Sequence, residues 1–236
     1  MISINSLYKN FGNVQALADV TLELHPSKVY ALVGPNGSGK TTMIKSILGM
    51  VVPSKGDITL NGESILNSWK YRDKIGYMPQ IGKYPDNLKI GQLLDMMNDI
   101  RPEKTARDFE IFKAFKMDQL ADKRMHTLSG GTRQKVSAVL AFLFDPPVLI
   151  LDEPTAGLDP LSVEILKDKI RKEKEKNKLI IISSHIMSDL DDLATDIVYM
   201  HEGKLVFSDS LSVLKELAGE EKLGKAISHL INQTQS

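Results

Sequence analysis

The sequence predicts an α/β fold, and three observations lead to this prediction. Short, continuous apolar runs recur at 29–33, 148–151 and 179–182, and such runs are typical of a parallel sheet buried on both faces. Other stretches have apolar residues at every third or fourth position, which is the spacing of a helix. Near the N-terminus, strict alternation of apolar and polar residues indicates a second, antiparallel sheet.

Length and composition limit the classes of protein to consider. The 236 residues suffice for one large α/β domain, with or without an inserted subdomain, and 42% of them are apolar. Because 30 basic residues balance 30 acidic ones, the net charge gives no reason to expect a nucleic-acid partner, and we expect none; a local basic patch is the alternative. The absence of cysteine excludes disulfides and fits a reducing compartment. We expect no secretory signal, and the longest apolar run, 138–144, is too short to cross a bilayer.

The antiparallel sheet is predicted from the N-terminal pattern. Residues 2–8 and 18–24 alternate in polarity, and the turn signal Gly12-Asn13 lies between them. Residues 56–62 show the same alternation and are expected to join this sheet. Phe11, beside the turn, has two interpretations: a plain hydrophobic anchor, or an exposed ring on which a nucleobase stacks.

The central motif of the chain is a phosphate-binding pattern of the type G-x-x-x-x-G-K-[ST]. It consists of Gly34, Pro35, Asn36, Gly37, Ser38, Gly39, Lys40 and Thr41. It follows the apolar strand 29–33 and precedes a helix from Thr42 to Leu48, which is the context that the pattern requires. The glycines let backbone N–H groups surround an anionic phosphate, Lys40 adds a positive charge, and Thr41 offers a hydroxyl to Mg²⁺. A glycine-rich turn without a ligand is the alternative.

Three further apolar strands end in polar residues. They are 75–78, followed by Gln80; 148–151, followed by Asp152 and Glu153; and 179–182, followed by His185. Ligands of α/β sheets bind at the carboxyl ends of the strands, so these residues are expected near the phosphate loop. Gln80 could be a surface amide or could reach Mg²⁺ or an attacking water. The two carboxylates could be solvated, or one could hold Mg²⁺ while the other polarises the water. His185 could have no function or contact a γ-phosphate.

Helical patterns occupy much of the remaining chain. From 87 to 128 the apolar spacing is helical, with Pro102 separating two helices. A helix is predicted from 133 to about 144, with Ser129 as its N-cap and with a second anion site at the amides of Gly130 and Gly131.

The segment from Lys167 to Lys178 is highly charged, with seven basic and three acidic residues. Its pairs Lys169 with Glu173 and Arg171 with Glu175 have i, i+4 spacing, which predicts a solvated helix face. Residues 196–200 and 204–207 are expected to form a final hairpin. The other histidines show no metal-ligand spacing.

Taken in order, these motifs resemble the nucleotide-binding domain of ABC (ATP-binding cassette) proteins, over the chain from Ile2 to about Ala218. The resemblance rests on six motifs: the phosphate loop, Gln80, the signature at 128–132, the strand ending in Asp152 and Glu153, the D-loop at 156–159, and His185. Thr132 stands where the signature usually has Gln. The resemblance implies a P-loop, RecA-like ATPase core at 1–86 and 128–218 with an antiparallel β subdomain. It also implies a helical subdomain inserted at 87–127 and a C-terminal tail at 219–236.

The resemblance implies ATP and Mg²⁺ as ligands and assigns residues to them. ATP is expected at Phe11, at the loop from Gly34 through Thr42, and at Ser129, Gly130, Gly131 and Asp159. Mg²⁺ is expected at Thr41, Gln80 and Asp152. Lys40, Gln80, Glu153 and His185 are the expected catalytic residues, with Glu153 acting on the attacking water.

The resemblance also implies partners. Two copies are expected to pair head to tail, so that Ser129 and Gly131 of one cover the ATP bound by the other. A separate transmembrane permease is expected to dock near Gln80 to Met125, which places the chain at the cytoplasmic face of the cell membrane. The segments 77–85 and 128–135 look like those of prokaryotic exporters, particularly the copper-linked system that matures nitrous oxide reductase; multidrug and sodium exporters are alternatives. A soluble ABC ATPase acting on DNA or in translation is the alternative from another class.

Overall fold

The computed structural model describes residues 1–66, 68–101 and 106–234. Pro102, predicted to separate two helices, lies outside these residues, as do the last two residues of the predicted tail. Ten strands are described: β1 Ile2–Phe11, β2 Val14–Leu24, β3 Val29–Val33, β4 Lys55–Leu60, β5 Glu63–Ser64, β6 Ile75–Met78, β7 Val148–Asp152, β8 Leu179–Ser183, β9 Asp196–His201 and β10 Lys204–Ser210. The α-helices are α1 Lys40–Ile47, α2 Ile90–Ile100, α3 Glu110–Ala114, α4 Gly130–Phe142, α5 Pro160–Glu175, α6 Met187–Leu193, α7 Leu211–Ala218 and α8 Leu223–Thr234.

The strands form two sheets, and the α/β prediction is confirmed. An antiparallel sheet has the order β2-β1-β4-β5, as the alternating N-terminal pattern predicted. The second sheet has the order β10-β9-β3-β8-β7-β6. Its central strands pair in parallel, and only β10 runs antiparallel, in the predicted hairpin with β9.

The central strands β3, β7 and β8 are buried at every position, and all their residues are apolar except Asp152 and Ser183 at the carboxyl ends. In β3, Ala31 faces a core shared with α2, α4 and α5, whereas Tyr30 and Leu32 face the antiparallel sheet and α1. The period of two along a strand therefore produces two separate hydrophobic cores. None of the helices in the described ranges is long and apolar enough to span a bilayer.

Helix α4 starts earlier than its apolar pattern predicted. It begins at Gly130 rather than at 133 and ends at Phe142. Ser129 is the N-cap, as predicted, and its hydroxyl accepts a hydrogen bond from the Thr132 amide. Because the cap satisfies an amide of the first turn, two glycines can occupy that turn despite their low helix propensity.

The segment 87–128 is less regular than its pattern predicted. It contains α2 and α3, and the 3₁₀ turns Met117–Leu120 and Met125–Thr127. Of the apolar residues at helical spacing in this segment, Leu93, Leu94 and Phe115 are buried, as expected of core positions, whereas Phe109 is 38% exposed. The boundaries of the helical insert remain predictions.

The prediction that the helix face at 167–178 is solvated is wrong for Lys169 and Glu173, which are buried. Lys169 is 2% exposed and Glu173 is 1% exposed, and the two form the expected ion pair, with 2.9 Å between nitrogen and oxygen. Asp108 and Glu110, which lie far away in the sequence, also contact Lys169. Arg171 contacts Asp168 and Asp192 rather than the Glu175 predicted from i, i+4 spacing. The i, i+4 pattern cannot reveal acidic residues that arrive from another segment.

Glu173 is the centre of this buried ion network. Its carboxylate also pairs with Lys176 and Lys178. Burial would raise the pKa of Glu173, but the hydrogen bonds from Lys176, Lys178 and Lys169 outweigh it, and the net shift is downward. The network joins α5 to the segment that leads into α3.

Replacing Lys169 should therefore destabilise the fold. Lys169→Met keeps the side-chain length but removes a buried charge, and we expect a loss of about 3 kcal/mol in the free energy of unfolding, measured by urea denaturation. The control is Arg171→Ala on the same helix, whose more exposed ion pairs should contribute at most about 1 kcal/mol. Equal losses in the two variants would contradict a special contribution of the buried network.

Candidate functional site

A cavity of about 380 Å³ lies at the carboxyl edge of the parallel sheet. It is lined by Phe11, Val14, Gln15, Ala16, Asn36 through Thr42, Gln80, Asp152, Glu153 and Ser183. The structure thus brings together residues that the sequence places in five separate segments. The geometry supports a single site at this edge, as the ends of the strands predicted.

The phosphate loop is held closely between two strands. A Cβ atom added to Gly34 would lie 2.1 Å from the carbonyl oxygen of Met200 on β9. One added to Gly39, whose φ is +102°, would lie 2.6 Å from the carbonyl oxygen of Ala16 on β2. Only glycine fits at both positions, because backbone atoms cannot move aside as a flexible side chain can.

The polar groups of the loop fit an anion. The Ser38 hydroxyl oxygen is buried and has no hydrogen-bond partner among the described residues, so it offers a donor to an entering acceptor. The Lys40 ammonium donates to the carbonyl oxygens of Gly34 at 2.6 Å and Pro35 at 3.0 Å. Burial lowers the pKa of Lys40, although the carboxylates of Glu153 and Asp152 oppose the shift. A charged lysine and buried donors are what phosphate binding requires.

The residues predicted to hold Mg²⁺ line the same cavity. Thr41 lies in the first turn of α1, Gln80 follows β6, and Asp152 ends β7. Asp152 is 8% exposed and accepts a hydrogen bond from the hydroxyl of Ser183. A hydroxyl, an amide oxygen and a carboxylate are the hard oxygen ligands that Mg²⁺ prefers, so this set fits the ion.

Glu153 adopts an unusual backbone conformation directly after β7. Its φ is +51°, a region that non-glycine residues seldom occupy. Its amide donates to the Ser183 carbonyl oxygen at 3.0 Å, and its carboxylate lies 2.7 Å from Nδ1 of His185. The side chain of Glu153 is 13% exposed and that of His185 is 74% exposed. The predicted base and the predicted γ-phosphate contact are therefore direct neighbours.

Phe11 lies at the rim of the cavity with half of its surface exposed. The Lys9 ammonium, which the sequence did not single out, lies 5.0 Å from the centre of the Phe11 ring. An exposed ring at a cavity rim fits base stacking better than it fits a buried anchor. The stacking role itself remains a prediction.

The signature residues do not line this cavity. Ser129 and Gly130 are exposed at the start of α4. The hydroxyl of Thr132, which replaces the usual Gln, lies 2.9 Å from that of Ser129 and so supports the cap. A Cβ atom added to Gly131 would lie 2.6 Å from the carbonyl oxygen of Gly157, so the D-loop packs directly on the signature.

Asp159 also lies outside the cavity. It is the N-cap of α5 and accepts hydrogen bonds from the Ser162 amide at 3.0 Å and from Lys135 of α4 at 2.8 Å. Hydrogen bonds from Lys135 and Ser162 lower the pKa of Asp159. Within one chain Asp159 is thus engaged in joining α4 to α5, and its predicted part in nucleotide binding remains a prediction.

Two residues near the predicted catalytic groups were missed by the sequence analysis. The Ser183 hydroxyl contacts both Asp152 and the amide of Glu153, and its position at a strand end could have revealed it. The Gln134 side chain is 5% exposed, and its amide nitrogen lies 3.2 Å from the Glu153 carbonyl oxygen. No local pattern distinguishes Gln134, because the contact joins two distant segments.

A larger groove of about 690 Å³ adjoins the cavity and shares Thr41, Gln80 and Asp152 with it. Its other walls come from the segment after β6, from α2 and from the end of α4. They include Ile81, Lys83, Tyr84, Met97, Arg101, Leu140 and Phe144. The groove therefore opens in the region where the sequence predicted a docking site.

Comparison with known proteins gives consistent results along the whole chain. A family model described as "ABC transporter" matches residues 17–156. The chain is 32% identical over 235 residues to the ABC transporter ATP-binding protein NatA of Bacillus subtilis. The alignment covers 94% of this chain and 95% of the relative. It is 30% identical over 233 residues to the lantibiotic transport ATP-binding protein SrtF of Streptococcus pyogenes. That alignment covers 98% of this chain and 97% of the relative.

A solved structure agrees with the fold described above. The structure of an ATP-binding subunit of an ABC transporter superposes with a TM-score of 0.91 at 27% identity. The superposition covers 98% of this chain and 99% of that one. The two sheets and the helices around them are therefore shared over nearly the full length.

The loop lysine provides a first test of the site. We expect Lys40→Met to weaken ATP binding by roughly 10-fold to 100-fold, because it removes one charge-assisted contact to phosphate. Isothermal titration calorimetry with ATP would measure the change. Lys113→Met, at an exposed position on α3 outside the cavity and the groove, is the control and should bind ATP normally. Unchanged affinity in Lys40→Met would remove Lys40 from the site.

Proposed function

The chain belongs to the ABC transporter family of ATP-binding subunits and is an ATPase of that family; from this premise we propose that it works as a head-to-tail dimer that drives a separate membrane subunit. The proposal rests on one observation: the phosphate loop and the signature of the same chain lie apart from each other. Lys40, Asp152 and Glu153 meet at one cavity, whereas the exposed signature lies outside it. A second copy would complete the site.

The phosphate loop would hold the β- and γ-phosphates of ATP. Its backbone amides, the Ser38 hydroxyl and the Lys40 ammonium supply donors to the phosphate oxygens. Thr41, Gln80 and Asp152 would hold Mg²⁺, which when bound neutralises phosphate charge. The Ser183 hydroxyl fixes the Asp152 carboxylate by donating a hydrogen bond to it. Stacking on Phe11 would hold the adenine at the rim.

Glu153 is the best candidate for the residue that acts on the attacking water. It follows the strand that delivers Asp152, and both side chains line the same cavity. Its carboxylate would orient the water and accept its proton as the oxygen attacks the γ-phosphate. His185, whose ring contacts that carboxylate, would orient it and sense the γ-phosphate.

The signature would act on the nucleotide of the other copy. The amides of Gly130 and Gly131 open α4 beside the Ser129 hydroxyl, and such helix N-termini favour anions. Pairing head to tail would direct these donors at the partner's γ-phosphate. Closure would then depend on ATP, and hydrolysis would release it. Asp159, beside the signature, would link the two sites.

The groove beside Gln80 is the proposed docking site for the membrane subunit. Ile81 is 72% exposed there, and Tyr84 and Met97 add apolar surface. Lys83 lies beside them. A short cytoplasmic helix of a permease, with an apolar face and acidic residues, fits this lining. Because the groove shares Gln80 with the nucleotide cavity, occupancy of one can affect the other.

Export is the proposed direction of transport. The segments 77–85 and 128–135 look like those of prokaryotic exporters, and the relative from Streptococcus pyogenes is named for lantibiotic transport. The link to the copper-linked maturation of nitrous oxide reductase remains a prediction, because the names of NatA and SrtF mention neither copper nor that enzyme. The soluble ATPase acting on DNA or in translation is the second candidate, and the apolar groove beside Gln80 favours the transporter over it.

Replacing the proposed base tests the chemistry. Glu153→Gln keeps the shape of the side chain but cannot accept the proton, so we expect ATP binding to persist while kcat falls by about 100-fold or more. Phosphate release assays and calorimetry would measure the two quantities. Glu216→Gln on α7 is the control and should hydrolyse ATP normally. Turnover near that of the wild type in Glu153→Gln would remove Glu153 from this role.

An exposed residue in the groove tests the docking site. Ile81→Glu should weaken copurification of the proposed membrane subunit, co-expressed with this chain from the neighbouring genes, by at least about tenfold, since it places a charge in an apolar contact. Quantitative mass spectrometry of the detergent-extracted complex would measure it. Leu217→Glu, an equally exposed apolar residue on α7, should retain the partner. Equal recovery with both variants would argue against docking at this groove.

A further inference from the structure

Gln134 is a buried amide for which the mechanism above has no role. It lies in the second turn of α4, five residues after the N-cap Ser129. Its side-chain nitrogen donates to the Glu153 carbonyl oxygen at 3.2 Å. A buried side-chain amide that donates to the backbone of the proposed base, from a different element, calls for an explanation.

The backbone of Glu153 needs external support. At a φ of +51°, a residue with a side chain is in a sparsely populated conformation that persists only where neighbours impose it. Pro154 follows, and a residue before proline favours an extended backbone. Ser183 holds the Glu153 amide from β8. Gln134 holds the carbonyl of the same residue, so the two peptide units that set the side-chain direction are each fixed from outside.

Neighbouring residues of α4 hold the next part of the same loop. Gly131 packs against the Gly157 carbonyl oxygen, and Lys135 contacts Asp159 at 2.8 Å. The loop from Glu153 to Asp159 therefore lies along the first two turns of the helix that carries the signature. A displacement of α4 would be transmitted directly to this loop.

We propose that Gln134 is the positioning residue of Glu153: through its hydrogen bond to the Glu153 carbonyl, it couples the position of the signature helix to the direction of the catalytic carboxylate. This inference rests on the role proposed for Glu153. When the signature engages the γ-phosphate on a second copy, α4 is drawn toward that copy. Gln134 then carries the displacement to the base of its own chain. The nucleotide in one site thereby affects the chemistry in the other.

The test is Gln134→Met, which keeps the length and flexibility of the side chain but removes the donor. We expect kcat for ATP hydrolysis to fall about tenfold, in line with the loss of one buried hydrogen bond, with KM changed less than about twofold. In a Glu153→Gln background, Gln134→Met should not reduce the residual turnover further, because the group that it positions no longer acts. Gln134→Leu, which likewise lacks a donor and carries no charge, should show the same split and serves if the first variant folds poorly.

The control is Val139→Ala, which removes buried volume from the same helix, at a position 1% exposed, without touching Glu153. It should lower the unfolding midpoint and leave kcat within about twofold. A Gln134 variant that loses stability but keeps its kcat would overturn the proposal. So would an equal loss of residual turnover in the Glu153→Gln background, since this would place the effect elsewhere. Normal turnover in Glu153→Gln alone would instead show that the proposed base is wrong.

Discussion

The site depends above all on the close packing of the phosphate loop between β2 and β9. Gly34 lies against the Met200 carbonyl and Gly39 against the Ala16 carbonyl, so the backbone of the loop packs directly on both strands. Helix α1 continues from it between the two sheets, and its apolar side chains join one core with both. A loop fixed in this way presents its donors without reorganisation when phosphate binds, which lowers the cost of binding.

Helix α4 connects the other functional segments. Its N-terminus presents the signature, and its second turn contacts Glu153 and Asp159 through Gln134 and Lys135. In its next turn, the Ser137 hydroxyl accepts a hydrogen bond from Tyr84 in the wall of the groove. One rigid element thus contacts the nucleotide cavity, the D-loop and the proposed docking groove. This arrangement explains physically how dimer closure, hydrolysis and the membrane partner could be coupled.

Local patterns predicted those parts of the structure whose physical causes are local. The phosphate loop, the Ser129 cap and the alternation in β1 and β2 are each set by a few consecutive residues, and the structure contains all three. Burial of Lys169 with Glu173 could not be predicted, because Asp108 and Glu110 come from another segment. The same holds for Gln134, whose partner is 19 positions away. The start of α4 differs from the prediction because apolar spacing cannot reveal a first turn that contains two glycines.

The shared site, in which each nucleotide is bound by the loop of one copy and the signature of another, is the basis of the proposed function. Native mass spectrometry of Glu153→Gln with ATP and Mg²⁺ tests it most directly, because slow hydrolysis should preserve the assembly. We expect two chains with two nucleotides, and separate chains when a bulky Gly130→Trp substitution blocks the signature. A single chain with its nucleotide, or a dimer that persists with the signature blocked, would contradict it.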